Sequence, residues 1–206
     1  DPHSPYEPYG GVTKKAPMFD RYVSELKRVD DQLDRLMGHL RSSGRLDQTI
    51  IVIAADHGEE FRDHGGLFHG TTVYDEQARV PLFVRVPKMQ PQKVHQPVSL
   101  IDVPPMIMEL VGVRGIHPMD GRSLVPYLHG HTPPARPLLI QSTRDGKRIG
   151  LVMDRHKYIY DVPNKVEEVY DLITDPNEKT NRVDVLTDIV KRGRCLRKKS
   201  GVSGEE

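Results

Sequence analysis

The sequence predicts an α/β fold, with a helix-covered, mostly parallel sheet followed by a small C-terminal antiparallel sheet. Three observations carry that prediction. A long helical repeat of apolar residues lies early in the chain. An unbroken β-branched run, Thr49-Ile50-Ile51-Val52-Ile53-Ala54-Ala55, follows it, and from Pro137 short strand-like runs alternate with turn residues. At 206 residues the chain is long enough to bury one substantial core.

Each element follows from its local pattern. Residues 1–16 hold Pro2, Pro5, Pro8, Gly10 and Gly11 among polar neighbours, which is loop chemistry. From Pro17, Tyr22, Leu26, Val29, Leu33, Leu36 and Leu40 recur at three- and four-residue spacing, with Gly44 as the stop. That spacing predicts a long amphipathic helix laid on a sheet. The run from Thr49 to Ala55 is apolar on both faces, the mark of a strand in the middle of a sheet covered on both sides. Asp56-His57-Gly58 ends it. In open α/β sheets, ligands sit beyond the carboxyl ends of the strands, so these polar residues stand where chemistry is expected.

Residues 58–79 form a loop rich in glycine, histidine and acids, and 81–87 read as a second short strand with prolines at its edges. A helix is expected over 100–111, begun near Asp102 with Pro104 in its first turn, and a shorter one over 123–128. Beyond Pro137, runs at 138–142, 149–153, 158–160 and 169–172 are separated by Asp145-Gly146 and Pro163-Asn164, which predicts a small antiparallel sheet. A helix is expected from Asp184 to about Lys191, with disorder from Lys198 onward. The expected division is a main α/β domain over 1–134, a sheet subdomain over 135–183 and a tail over 184–206.

Composition excludes several classes. With 30 Lys+Arg against 29 Asp+Glu, no nucleic-acid or acidic-membrane partner is expected. No apolar run approaches the roughly 20 residues of a membrane helix. The single cysteine, Cys195, has no second thiol to pair with inside the chain. Asp1-Pro2-His3-Ser4-Pro5-Tyr6 lacks a signal peptide's pattern, and no initiator Met opens the sequence, so the chain reads as part of a longer protein. No segment specifies a cellular address, and oligomeric state is left open.

The stretch that carries chemistry is Asp56-His57-Gly58-Glu59-Glu60, then His64-Gly65, then His69-Gly70-Thr71-Thr72. A carboxylate and an imidazole side by side at a strand end can reach one divalent cation, the first with hard oxygen and charge, the second with a borderline nitrogen. Gly58 and Gly70 let the backbone turn sharply beside a ligand. The plainer reading makes Asp56 a turn cap and the histidines ordinary loop residues. The density of histidines and acids directly after a buried strand favours a site.

The segment from Ala54 to Phe61, with His64-Gly65, His69 to Glu76 and Arg79-Val80-Pro81-Leu82, resembles the second half of the sulfatase signature, in the alkaline phosphatase superfamily. Other landmarks fall in family order: His3-Ser4-Pro5-Tyr6, Val29-Asp30, Leu46-Asp47-Gln48-Thr49, Ile101-Asp102-Val103-Pro104-Pro105 and Asp120-Gly121-Arg122-Ser123-Leu124. Glu168-Val169-Tyr170-Asp171-Leu172, then Asp175-Pro176-Asn177-Glu178 and Asn181, complete the set. The likeness runs over about residues 1–182. It implies an alkaline-phosphatase-like fold and a sulfuric ester hydrolase acting on a small-molecule or glycan sulfate ester.

The resemblance also implies site roles. Asp56 and His57 match two metal ligands of the family. Calcium is the first expectation for the cation, with manganese, magnesium or zinc as alternatives. His69 stands where many members place a sulfate-contacting lysine, and His3 matches a histidine that binds the sulfate or protonates the leaving oxygen. His64 matches a frequent histidine with either a site role or a loop-ordering hydrogen bond.

The family's nucleophile is a formylglycine made from the first residue of a Cys- or Ser-x-Pro-x-Arg segment. No such segment occurs here, and Cys195, followed by Leu196-Arg197, is read as an incidental thiol. The nucleophile and two further acidic ligands are therefore expected in an N-terminal part, and this chain alone is expected to be inactive. Two other readings stand beside the sulfatase. One is a phosphodiesterase, phosphonate hydrolase or phosphoethanolamine transferase of the same superfamily; the other is a non-catalytic interaction domain derived from a sulfatase. By family resemblance alone, a periplasmic, lysosomal or secreted location is implied.

Overall fold

The computed structural model describes residues 2–113, 118–142, 144 and 148–201. It divides into two compact units. The first comprises the described residues of Asp1–Ala54, Glu60–Phe68 and Pro81–Gln90; the second comprises those of Ala55–Glu59, His69–Val80 and Pro91–Glu206.

In the first unit, the predicted helix is α1, Met18–Ser42. It ends as a Schellman motif: Arg45 N–H donates to the Leu40 carbonyl at 2.9 Å and Gly44 N–H to that of Arg41 at 3.1 Å, with Gly44 at φ +68°. The N-terminal loop lies along the helix. Arg21 donates to the carbonyls of Pro5 and Tyr6, Glu25 accepts from Glu7 N–H at 2.9 Å, and Ser24 Oγ accepts from Tyr9 N–H at 3.0 Å. Tyr6, 1% exposed, packs against Tyr22 and Phe61, and the Ser4–Pro5 peptide is cis.

A strand β1, Ile51–Ala54, and a hairpin of β2, Glu60–Phe61, and β3, Leu67–Phe68, belong to the same unit. Strand β4, Leu82–Arg85, pairs antiparallel with β1, Ile51 opposite Arg85 and Ala54 opposite Leu82. Arg85 ties this ladder to the 3₁₀ turn at Leu46–Gln48 through Asp47 at 3.0 Å.

The α/β class stands, but every strand pair among the described residues is antiparallel. The expected parallel neighbours of β1 are absent from that set. An apolar run says that both faces of a strand favour cover, and nothing about the direction of its partner. In a two-stranded ladder that cover is incomplete, so Ile51 to Ile53 are half-buried and Ala54 is exposed. For the same reason the apolar stripe of α1 does not lie on a broad sheet: Leu26, Val29 and Leu36 are exposed.

The second unit holds α2, Asp75–Ala78, α3, Val103–Leu110, and α4, Val125–Leu128. Its centre is a four-stranded antiparallel meander: β5, Leu138–Gln141, β6, Arg148–Met153, β7, His156–Asp161, and β8, Val166–Asp171. The predicted Asp145-Gly146 turn lies outside the described residues. Side chains alternate across this sheet. One face carries Leu151, Met153, Tyr158 and Val169 against α5, Thr187–Lys199, through Val190; the other carries Ile159 and Tyr170 against Val73 and Tyr74.

Helix α5 continues to Lys199, where the sequence reading stops a helix near Lys191 and expects disorder from Lys198. Packing explains the extra turns: Leu196 sits on the same core as Val190, and the Arg197 guanidinium lies 4.0 Å over the Tyr160 ring.

Candidate functional site

The residues after β1 pass into the second unit at Ala55. Asp56 turns its carboxylate to solvent, 92% exposed, with one oxygen accepting from His57 N–H at 3.1 Å. The His57 ring is held by its neighbour: Nδ1 lies 2.8 Å from the Gly58 carbonyl oxygen. A carbonyl only accepts, so Nδ1 carries the hydrogen, and in the neutral ring the lone pair is on Nε2. That Nε2 lies 3.8 Å from Asp56 Oδ1.

The His69 ring stacks on that of His57, with centroids 3.7 Å apart and planes 23° from parallel. Its Nδ1 donates to Glu59 Oε1 at 3.0 Å. The Glu59 side chain is 3% exposed and that of His69 17%, so a carboxylate inside the protein orients a ring at its edge. Asp56, His57 and His69 are thus brought together within one unit, with Glu59 behind them.

This donor set suits a divalent cation in part. One exposed carboxylate and one imidazole with its lone pair directed by a backbone carbonyl are what such an ion takes from two neighbours. Among the described residues no group of three or more such side chains converges. Asp56 and His57 are therefore a pair of candidate donors, short of a full coordination shell among the described residues.

Backbone contacts set the segments that carry the two rings. Gly58 N–H donates to the Gln77 carbonyl at 2.8 Å, and a Cβ at Gly58 would stand 2.1 Å from the Glu76 carbonyl oxygen. Close approach thus explains Gly58, whereas Gly70 is needed for its φ of +83°. Gln77, 4% exposed, accepts at Oε1 from Thr71 and Thr72 N–H, both at 3.3 Å.

His3 belongs to the first unit. It is exposed, with Nδ1 3.0 Å from the Ser4 carbonyl oxygen, and its own carbonyl accepts from Tyr6 N–H at 3.0 Å. His64, also in that unit, donates its backbone N–H to Glu60 at 3.1 Å. Glu60 is wholly buried and also accepts from Gly66 N–H at 2.6 Å, so that carboxylate orders the hairpin turn.

Several landmarks far from the histidines prove to be braces. Buried Asp102 accepts from Ser99 N–H, from Arg122 N–H at 2.8 Å and from the Arg136 guanidinium, which joins two landmarks into one clasp. Asp175 accepts from Lys179 and Thr180 N–H, and Asn181 from Val169 N–H at 3.0 Å. Cys195 lies exposed on α5.

Sequence reasoning missed the roles of Glu59, Gln77 and a buried ion cluster around Lys157. Glu59 stands inside the motif, but no local pattern says that it meets a ring ten positions on. Lys157 occupies a strand position where a lysine normally faces water.

Comparison with known proteins bears on the same segments. The family model described as Sulfatase matches residues 1–113, and that described as N-sulphoglucosamine sulphohydrolase, C-terminal, matches 63–192. The choline-sulfatase of Rhizobium meliloti is 31% identical over 166 residues, 78% of this chain and 32% of that protein; the chain spans about a third of that relative's length. A protein solved with its substrate D-glucosamine-2-N,6-O-disulfate is similar at TM-score 0.68 and 28% identity, over 88% of this chain and 39% of that one. The phosphonate monoester hydrolase of Agrobacterium radiobacter is similar at TM-score 0.72 and 26% identity, over 89% and 40%.

Proposed function

The chain belongs to the sulfatase family, and from that premise we propose that it supplies the cation-binding and anion-facing side chains of a sulfuric ester hydrolase. The observation that carries this reading is His57, its ring fixed on the Gly58 carbonyl and its Nε2 3.8 Å from the exposed Asp56 carboxylate. A divalent cation held by these two would draw charge from the nonbridging oxygens of a bound ester.

The remaining roles belong to the chain's own groups. His69, oriented through Nδ1 by Glu59, turns its other ring nitrogen to the ester anion, and Nε2 donates a hydrogen bond there when the ring carries both protons. For His3 the proposal rests on its sequence motif: it binds the anion or protonates the departing oxygen. With no Cys- or Ser-x-Pro-x-Arg segment in the sequence, the chain's contribution is to bind and orient the ester and to move a proton, and the nucleophile would be a formylglycine outside it. The substrate class proposed is a small-molecule or sugar sulfate, supported by the choline-sulfatase and the glucosamine disulfate complex.

A second reading, hydrolysis of phosphonate or phosphate esters, is supported by the likeness to the phosphonate monoester hydrolase, and the Asp56-His57 donor pair fits it equally well. The test is hydrolysis of p-nitrophenyl sulfate beside p-nitrophenyl phenylphosphonate by a full-length protein in which this chain is joined to the nucleophile-bearing part, with Asp56→Asn and His57→Ala as controls. Sulfate turnover that both substitutions abolish is expected. Faster phosphonate turnover would favour the second reading, and sulfate hydrolysis indifferent to both substitutions would remove the first.

A further inference from the structure

We infer that Lys157 is a positioning residue for the histidine pair: with Asp75 and Glu178 it forms a buried ionic clasp that fixes α2 and, through Gln77, the spacing of His57 and His69. Lys157 lies on β7, on the sheet face shared with Ile159, and its side chain is 0% exposed. Its Nζ lies 2.6 Å from Asp75 Oδ1 and 2.9 Å from Glu178 Oε1. The second Glu178 oxygen accepts from Asp75 N–H at 2.6 Å. Asp75 is therefore gripped by both its side chain and its backbone.

The grip matters because α2 is only four residues long. A single turn has too few internal hydrogen bonds to hold its own position, so its contacts do. Tyr74, just ahead of it, is tied to Glu168 at 2.7 Å. Two residues beyond Asp75 comes Gln77, whose carbonyl holds Gly58 N–H, the residue after His57, and whose Oε1 holds Thr71 and Thr72 N–H, just past His69. The near contact of Gly58 with the Glu76 carbonyl leaves that link no slack. Both ring-bearing segments thus hang on one short helix, and the buried ammonium sets where that helix sits.

Glu178 is also held at φ +53°, a conformation that a non-glycine residue keeps only when its surroundings impose it. Asp175 imposes it here: its carboxylate collects the two N–H groups that follow Glu178, and its carbonyl accepts from Glu178 N–H at 3.1 Å. A merely structural ion cluster would stabilise the sheet without regard to the rings. A positioning cluster changes the ring spacing when it is neutralised.

The consequence for turnover rests on the sulfatase reading; the positioning itself does not. The experiment is histidine-selective NMR on the full chain, following the ring-to-ring nuclear Overhauser effect between His57 and His69. Wild type shows it. Glu178→Gln, and the charge-free triple variant Lys157→Met/Asp75→Asn/Glu178→Gln, lose it and shift both Hε1 signals, while His39 on α1 is unmoved. Tyr158→Phe, which removes the hydrogen bond to Glu167 on the opposite sheet face, lowers Tm and retains it. Should Glu178→Gln fail to fold, the triple variant decides. Retention of the effect in that variant, or its absence in wild type, overturns the inference whether or not any ester is hydrolysed.

Discussion

His69 donates through Nδ1 to Glu59, a carboxylate with only 3% of its side chain exposed. Removing the acceptor leaves an N–H with little access to water, at a cost of about 1–3 kcal/mol. Glu59→Leu is expected to lower unfolding free energy in urea by that amount. Glu59→Gln is expected to cost less than half as much, because the amide oxygen still accepts. Equal losses for the two would show that the hydrogen bond does not order the ring.

Two glycine substitutions should have opposite signs. At Gly58 an added Cβ would stand 2.1 Å from the Glu76 carbonyl oxygen, and backbone cannot step aside. At Gly38, inside α1, a Cβ meets nothing within 4 Å. Gly38→Ala is expected to stabilise the chain by about 0.5–1 kcal/mol, and Gly58→Ala to destabilise it by more than about 2 kcal/mol. Thermal melts of the two variants beside wild type check both signs.

That contrast shows what the sequence made legible. Spacing alone located α1, because Tyr22 to Leu40 repeat at helical intervals and Gly44 supplies the stop. The Asp56-His57 step after a β-branched run marked where side chains of ligand type would gather. The pairing of β1 was not legible, since an apolar run is silent on strand direction. Nor was the length of α5: its last turns are polar in sequence and are held by Leu196 on the core and by Arg197 on Tyr160. Lys157 was hidden most deeply. A lysine in a strand becomes a buried anchor only because Asp75, 82 positions before it, and Glu178 meet it there.

Alkaline unfolding should report the tyrosine–carboxylate pairs. Burial, then hydrogen bonding to Glu168, raises the phenols of Tyr74 and Tyr170; burial and Glu167 raise that of Tyr158. A phenol whose folded pKa exceeds its unfolded value stabilises the fold fully below about pH 10, and that stability is lost as pH climbs through the folded value. Of the eight tyrosines, these three are expected to ionise only with unfolding. Near-ultraviolet absorbance during a base titration tests it; smooth ionisation of all eight before circular dichroism changes would contradict it.

The acid side has its own marker. The Arg194 guanidinium, and after it the Tyr158 hydroxyl, hold Glu167 below its ordinary value of 4.5. A depressed carboxyl contributes stability above its unfolded pKa and loses it as pH falls through the folded one. Unfolding monitored below pH 4.5 should therefore be shallower in Glu167→Gln than in wild type. An identical acid limb in the two proteins would count against the Arg194–Glu167 pair as a contributor.

Cation choice follows from the donors. Asp56 brings a hard oxygen and His57 a nitrogen whose lone pair is aimed by the Gly58 carbonyl. Calcium takes oxygen ligands almost wholly, whereas manganese and zinc accept imidazole readily. If Asp56 and His57 both ligate, His57→Ala should weaken manganese or zinc binding by at least tenfold and leave calcium binding nearly unchanged. Asp56→Asn should weaken all three, because it removes the charge that each requires. Isothermal titration of the three ions into wild type and both variants separates these patterns. Calcium affinity that falls as steeply as manganese affinity in His57→Ala would show that the imidazole acts by shaping the loop, and that Asp56 binds the ion without it.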